Sequence, residues 1–146
     1  MVYEHTQSAP QPAFVVAALA LVAAFVAAVT GEPSMLASTA VLAAVAVIAF
    51  ALSALTTMVT PDRITVAFRW GRPRRAIPVE QVVRAEVVRN HWLLGWGIRW
   101  MPGATVFNVW GLDAVRLELD GARDFRIGTD DPEGLVAAIS GCIADA

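Results

Sequence analysis

Residues 114–127 read AVRLELDGARDFRI, and this stretch decides the class of fold that we expect for the second half of the chain. Apolar and charged side chains alternate from 115 to 119, which is the period-two pattern of a strand with one buried face. Asp120 and Gly121 then favour a tight turn, and the alternation resumes at Phe125. The stretch therefore predicts a β-hairpin.

The same alternation extends outward from this hairpin in the N-terminal direction as far as residue 63. Pro102 and Gly103 mark a second turn between two apolar segments. Together the pattern predicts seven strands, near 63–70, 74–78, 82–89, 97–101, 105–110, 114–120 and 123–128.

A helix is expected after the last strand. It begins either at Asp131, with Pro132 in the first helical position, or at Asp130, with Glu133 completing a capping box. Apolar residues then recur at helical spacing along residues 135–143, so that one stripe is buried. We therefore predict a mostly β domain over 61–146, with a curled sheet of about seven strands closed by a C-terminal helix.

The first part of the chain has a different composition. Residues 1–62 contain no Lys or Arg, and all 11 basic residues of the chain are arginines that follow. Uncharged runs cover 12–30 and 35–59, and the shorter run corresponds to about 28 Å of helix, the thickness of a bilayer core. We expect a polar tail at 1–11, two transmembrane helices over these runs and a turn at 31–34. A cleaved signal peptide is the alternative for the first run, but the tail lacks the basic residues that it requires.

Five arginines follow closely after the second run, whereas the 31–34 turn has none. By the positive-inside rule this places both termini in the cytoplasm of a multi-pass protein of the bacterial inner membrane. The lipid bilayer is then the first expected partner. Neither run contains an ionisable residue, so the sequence gives no sign of a transport pathway.

Several segments carry a resemblance to a known group: MVTPDRITVAFRWG, RRAIPVEQV, GWGIRW and AVRLELDGARDFRIGTDDPEGL. They resemble small bacterial membrane proteins that contain a pleckstrin-homology-like (PH-like) domain, over roughly residues 58–140. Seven strands with a closing helix is also the layout of that domain. The resemblance implies a membrane-tethered interaction module rather than a particular activity.

Two groups of residues are candidates for binding. Arg69, Arg72, Arg74 and Arg75 surround the first strand-to-strand turn, where they either hold anionic lipid head groups or simply enforce topology. Trp92 and Trp96 lie in an apolar loop. Their side chains either contact the membrane–water interface or a protein partner, or belong to the core. For Trp100 we expect a core position.

Catalytic patterns are absent from the sequence. His5 and His91 have no second ligand at metal spacing, and no nucleophile or phosphate-loop motif is present. The sequence predicts no catalytic residue, no metal, no cofactor and, from its net charge of -2, no nucleic-acid partner. We expect a non-enzymatic membrane protein whose PH-like domain binds a protein partner or its own copies. The alternative is anionic head-group sensing by the arginine turn.

Overall fold

The computed structural model describes residues 2–9, 12–31 and 33–144. Across these residues the strands and helices are β1 (Tyr3–Ser8), α1 (Pro12–Thr30), α2 (Pro33–Ala51), β2 (Ala54–Val59), β3 (Arg63–Phe68), β4 (Arg74–Pro78), β5 (Val82–Arg89), β6 (Gly97–Met101), β7 (Ala104–Asn108), β8 (Asp113–Leu119), β9 (Asp124–Gly128) and α3 (Pro132–Ala144). The seven strands expected from residue 63 onward are all present, each within two residues or so of its predicted bounds.

The first sheet has the antiparallel order β1-β2-β3-β4. Its outer strand β1 comes before the helices, and it pairs with β2 from Tyr3 opposite Val59 to Ser8 opposite Ala54. The helices α1 and α2 are therefore an insertion between two neighbouring strands. They pack on each other, with the small side chains of Ala27 and Ala46 buried.

The second sheet has the order β5-β8-β9-β7-β6. Three of its pairings are antiparallel, including the hairpins predicted at Pro102–Gly103 and Asp120–Gly121. The fourth, between β7 and β9, is parallel and places Thr105 opposite Phe125. This pairing brings the start of β9 beside the start of β7, and it positions part of the site described below.

The two sheets enclose one apolar core. Alternation along each strand sends every second side chain inward, including Ile64, Val66, Leu117 and Ile127, all at or below 1% exposure. The helix α3 packs against β5 and β8 and buries Leu135, Ile139 and Cys142. Asp131 caps α3, since its carboxylate accepts a hydrogen bond of 3.1 Å from the Gly134 N–H. The helix thus begins at the first of the two predicted starts.

The predicted transmembrane hairpin is wrong. In the part of the chain that the structure describes, no helix combines the length and the apolar character needed to cross a membrane. The expectations of two membrane spans, of a multi-pass protein and of a location in the inner membrane are overturned by this finding. The single curled sheet is corrected as well, because the strands form two sheets.

The second apolar run shows why the prediction of two long helices failed. It was predicted as one helix over 35–59, but α2 ends at Ala51 and residues 54–59 form β2. β2 lies between β1 and β3, and Leu55, Thr57 and Val59 are buried. A short apolar strand of this kind cannot be distinguished from buried helix by periodicity alone. Of the predicted turn at 31–34, Glu32 lies outside the described residues.

Candidate functional site

A groove of about 550 Å³ opens between the two sheets, along β4 on one side and β6 on the other. Both are outer strands of their sheets, so the groove lies where the two layers are not joined. We call it the arginine groove. Its lining combines three arginines with aromatic and aliphatic side chains: Pro73, Arg74, Arg75, Ile98, Trp100, Thr105, Phe107, Arg123 and Phe125.

The floor of the groove is apolar because of the register of β6 and β7. Ile98 lies opposite Phe107, and Trp100 lies opposite Thr105, so these side chains share the face that looks toward the first sheet. Phe107 packs edge-on against Phe125, with ring centroids 4.9 Å apart. Trp100 extends this floor outward and is 77% exposed. The expectation that Trp100 belongs to the core is wrong, because its strand is at the edge of the sheet.

The rim of the groove is positively charged. Arg74, Arg75 and Arg123 are exposed, and none of them forms an ion pair with another described residue. The groove lining contains no carboxylate. The carboxylate nearest to Arg123 in the chain, that of Asp124, binds Arg116 instead, as does Glu86. Three uncompensated positive charges beside an apolar floor favour an anionic ligand that also has apolar groups.

The four arginines predicted as one cluster separate in the structure. Arg74 and Arg75 lie in the groove, but Arg69 donates from Nε to Ser53 Oγ at 2.9 Å, and its guanidinium lies 4.5 Å from the centroid of the Phe50 ring. Arg69 thus connects β3 to the end of α2. Arg72 is exposed in the turn before β4 and does not line the groove.

Arg123 is the charged residue of the site that sequence reasoning missed. It directly precedes β9, and only the parallel pairing of β9 with β7 brings it beside the floor residues. Its one local signal is its place after the Asp120–Gly121 turn, where an exposed arginine is unremarkable. No spacing along the chain relates it to Arg75.

The two predicted tryptophans lie at a separate surface. Trp92 is 70% exposed on a short 3-10 turn, and Trp96 stacks on Trp110 with ring centroids 4.9 Å apart. They line a mostly apolar pocket of about 380 Å³ that shares no residue with the arginine groove. Asn108 holds this loop, since its Nδ2 donates to the carbonyls of Gly95 and Gly111.

On the other edge of the first sheet, β1 is hydrogen-bonded to two acidic residues at the start of α3. The Tyr3 hydroxyl donates to Asp131 Oδ2 at 2.9 Å, and His5 Nε2 lies 2.5 Å from Asp130 Oδ1. Burial, the hydrogen bond to Asp131 and the negative charge of that carboxylate raise the pKa of Tyr3 well above its usual range. This cluster is structural, because its carboxylates are already bonded within the domain.

The groove offers charge and apolar contact rather than reactive groups. Among its lining side chains the Thr105 hydroxyl is the one potential nucleophile, and no His, Cys, Asp or Glu lines the groove to activate it. Elsewhere in the described residues, no three His, Cys, Asp or Glu side chains come together at metal-binding distance. The arrangement can therefore bind an anion and hold it against the apolar floor.

Comparisons with protein-family models, with curated proteins and with solved structures find no match to this chain.

Proposed function

We propose that this chain is a non-enzymatic binding module that recognises an acidic region of a protein partner through the arginine groove. One observation carries the proposal: Arg74, Arg75 and Arg123 surround an apolar floor without a carboxylate to neutralise them. Exposed arginines are common, but three that converge on one groove create a local positive field. The proposal keeps the interaction role expected from the resemblance to PH-like domains, without the membrane tether.

A protein segment suits the groove better than a small inorganic anion. Trp100 is largely exposed and Ile98 is half-buried, so both would gain from contact with apolar side chains, which phosphate lacks. A volume of about 550 Å³ is in the range of ligand-binding clefts in proteins. Arginine and exposed tryptophan are also the residues most enriched among energetically dominant contacts at protein interfaces. Arg75 and Trp100 are the leading candidates for that role.

The test is fluorescence polarisation with the full chain and short labelled peptides that repeat the sequence Glu-Glu-Val-Val. A matched peptide carries lysine in place of glutamate. We expect the glutamate peptide to bind, the lysine peptide to fail, and the affinity to fall as salt rises from about 50 to 200 mM, because ions screen exposed charges.

Two charge-matched variants decide whether the groove is responsible. R74Q/R75Q/R123Q should bind the glutamate peptide about tenfold more weakly, since exposed ion pairs contribute roughly 0.5 kcal/mol each. The control R63Q/R84Q/R89Q removes three exposed arginines that do not line the groove and should bind as the parent does. Equal binding by parent and groove variant would refute the proposal. Arginine-dependent binding to vesicles of anionic lipid, with no peptide binding, would assign the groove to head groups instead.

A further inference from the structure

The strand β4 ends the first sheet, and its outer edge borders the arginine groove. The backbone of an edge strand has N–H and C=O groups that its own sheet does not pair. The hydrogen bonds at the two ends of the β3–β4 ladder show which backbone groups of β4 face the groove.

At one end, the Phe68 N–H donates to the Pro73 carbonyl at 3.2 Å, and at the other, the Val79 N–H donates to the Asp62 carbonyl at 3.0 Å. Bonded and non-bonded pairs alternate along an antiparallel ladder. The register places Val66 opposite Arg75, an even number of residues from both terminal bonds, so this pair is also of the hydrogen-bonded type. Arg75 thus directs its backbone groups toward β3.

The intervening residues have the opposite orientation. Arg74 and Ala76 lie opposite Ala67 and Thr65, at the non-bonded positions of the ladder. Their N–H and C=O groups consequently point away from β3, and both residues are exposed. The edge of β4 presents two unpaired N–H donors and two carbonyl acceptors at the spacing of a strand.

The side chains show that the groove follows this edge. Successive residues of a strand point to opposite faces, yet the adjacent Arg74 and Arg75 both line the groove. This is the arrangement expected of a groove that passes along the edge of β4, where backbone and side-chain atoms of both residues are accessible. A ligand in the groove therefore meets the two arginines and the unpaired backbone groups together.

We propose that the partner's acidic segment binds in extended form as a fifth strand on the β4 edge, pairing with the backbone of Arg74 and Ala76. This inference rests on the proposed function and specifies how the segment is held. Main-chain hydrogen bonds supply affinity in such strand addition, and side chains supply specificity. A second copy of β4 is a poor occupant, because it would bring arginines against arginines.

The register predicts the sequence of the segment. Arg75 shares the inward face with the buried Ile77, and Arg74 shares the outward face with Ala76. The best partner strand carries two adjacent acidic residues, one for each arginine, and an apolar residue two positions away on the inward face. That apolar side chain would lie opposite the buried Ile77.

Peptide N-methylation tests the inference directly, because it removes N–H donors without changing side chains. Two versions of the glutamate–valine peptide carry methyl groups on alternate residues, in opposite phase. We expect the phase whose N–H groups face β4 to bind about tenfold more weakly, from the loss of roughly two hydrogen bonds, and the other phase to bind as the parent peptide does.

The protein side of the test uses A76P and A76V. Proline at an edge position removes the outward N–H while the pairing with β3 remains, and valine keeps that N–H. A76P should lose peptide affinity by severalfold and A76V should not, with folding checked by circular dichroism. If A76P does not fold, the methylated peptides still decide.

The two proposals fail in different ways. Equal affinity for both methylated phases, with binding still dependent on Arg74, Arg75 and Arg123, overturns strand addition and leaves the proposed function standing. Peptide binding that does not depend on these arginines overturns the proposed function itself.

Discussion

The Tyr3 hydroxyl and the Asp131 carboxylate join the first strand of the domain to its last helix, through a hydrogen bond of 2.9 Å. Asp131 also caps α3 through the Gly134 N–H at 3.1 Å, so one carboxylate serves two elements that lie far apart in the chain. The loss of this bond should loosen β1 and the start of α3 together.

Y3F should destabilise the domain by about 1 kcal/mol, the usual contribution of one hydrogen bond. Urea unfolding followed by circular dichroism measures this change. D131N serves as the control for the cap, because asparagine is also a good N-cap residue. Unchanged stability in Y3F would show that the bond contributes nothing to folding.

The same tyrosine predicts a dependence on alkaline pH. Its pKa is raised in the folded protein, so the neutral hydroxyl is favoured there. The unfolded chain therefore loses this proton first, and stability should fall as the pH rises above about 10, the ordinary tyrosine value. The Y3F variant should lack this component of the decline. Parallel alkaline profiles for parent and Y3F would contradict the prediction.

Alanine substitutions at Gly128 and Gly141 should have opposite effects on stability. A Cβ atom on Gly128 would lie 2.1 Å from Asn108 Oδ1 and 3.0 Å from Asn108 Cα, and the two hydrogen bonds of the Asn108 amide resist a shift. G128A should cost about 2–3 kcal/mol. A Cβ on Gly141 meets nothing within 4 Å, so G141A in the helix α3 should stabilise by up to about 1 kcal/mol. Thermal unfolding of both variants provides the measurement.

Two arginines of the second sheet should differ in their contribution to stability. Arg116 binds Asp124 through Nε at 2.7 Å and through Nη2 at 2.5 Å, and it also reaches Glu86. Arg84 makes a single contact with Glu86 and its side chain is 68% exposed. R116A should cost about 1 kcal/mol and R84A close to nothing in urea unfolding. Similar values for both variants would contradict the difference in geometry.

Trp100 and Trp92 separate the two candidate surfaces. Both indoles are largely exposed, at 77% and 70%, so alanine at either position should leave the folding stability nearly unchanged. W100A should weaken binding of the glutamate–valine peptide about tenfold, as for an aromatic anchor at an interface, and W92A should not. The reverse result would move the binding site to the pocket beside Trp96.

The strands after residue 63 could be predicted because each depends on contacts that the local pattern reflects. Alternation at Val115, Leu117 and Leu119 follows from one buried face, and Asp131 with Pro132 marks a helix start by its own hydrogen bonding. The strand β1 escaped prediction because residues 3–8 are polar, and its pairing with β2 spans the whole of α1 and α2.

The candidate site was predicted only in part, for the same reason. Arg74 and Arg75 stood out as a local cluster, and both line the groove. Arg69 has the same charge, but its side chain contacts Ser53 and Phe50 at the end of α2 and does not line the groove. Composition alone does not distinguish these arginines.

The sequence by itself determined the period of the strands from β3 onward, the two β-hairpin turns and the apolar stripe of α3, because neighbours along the chain decide these features. Only the tertiary structure decided that β2 is a strand rather than the end of a helix, that β7 runs parallel to β9, and that Arg123 joins Arg74 and Arg75. These results depend on which distant segments bury one another's apolar faces. That choice minimises the free energy of the whole chain, and no local window of sequence contains it.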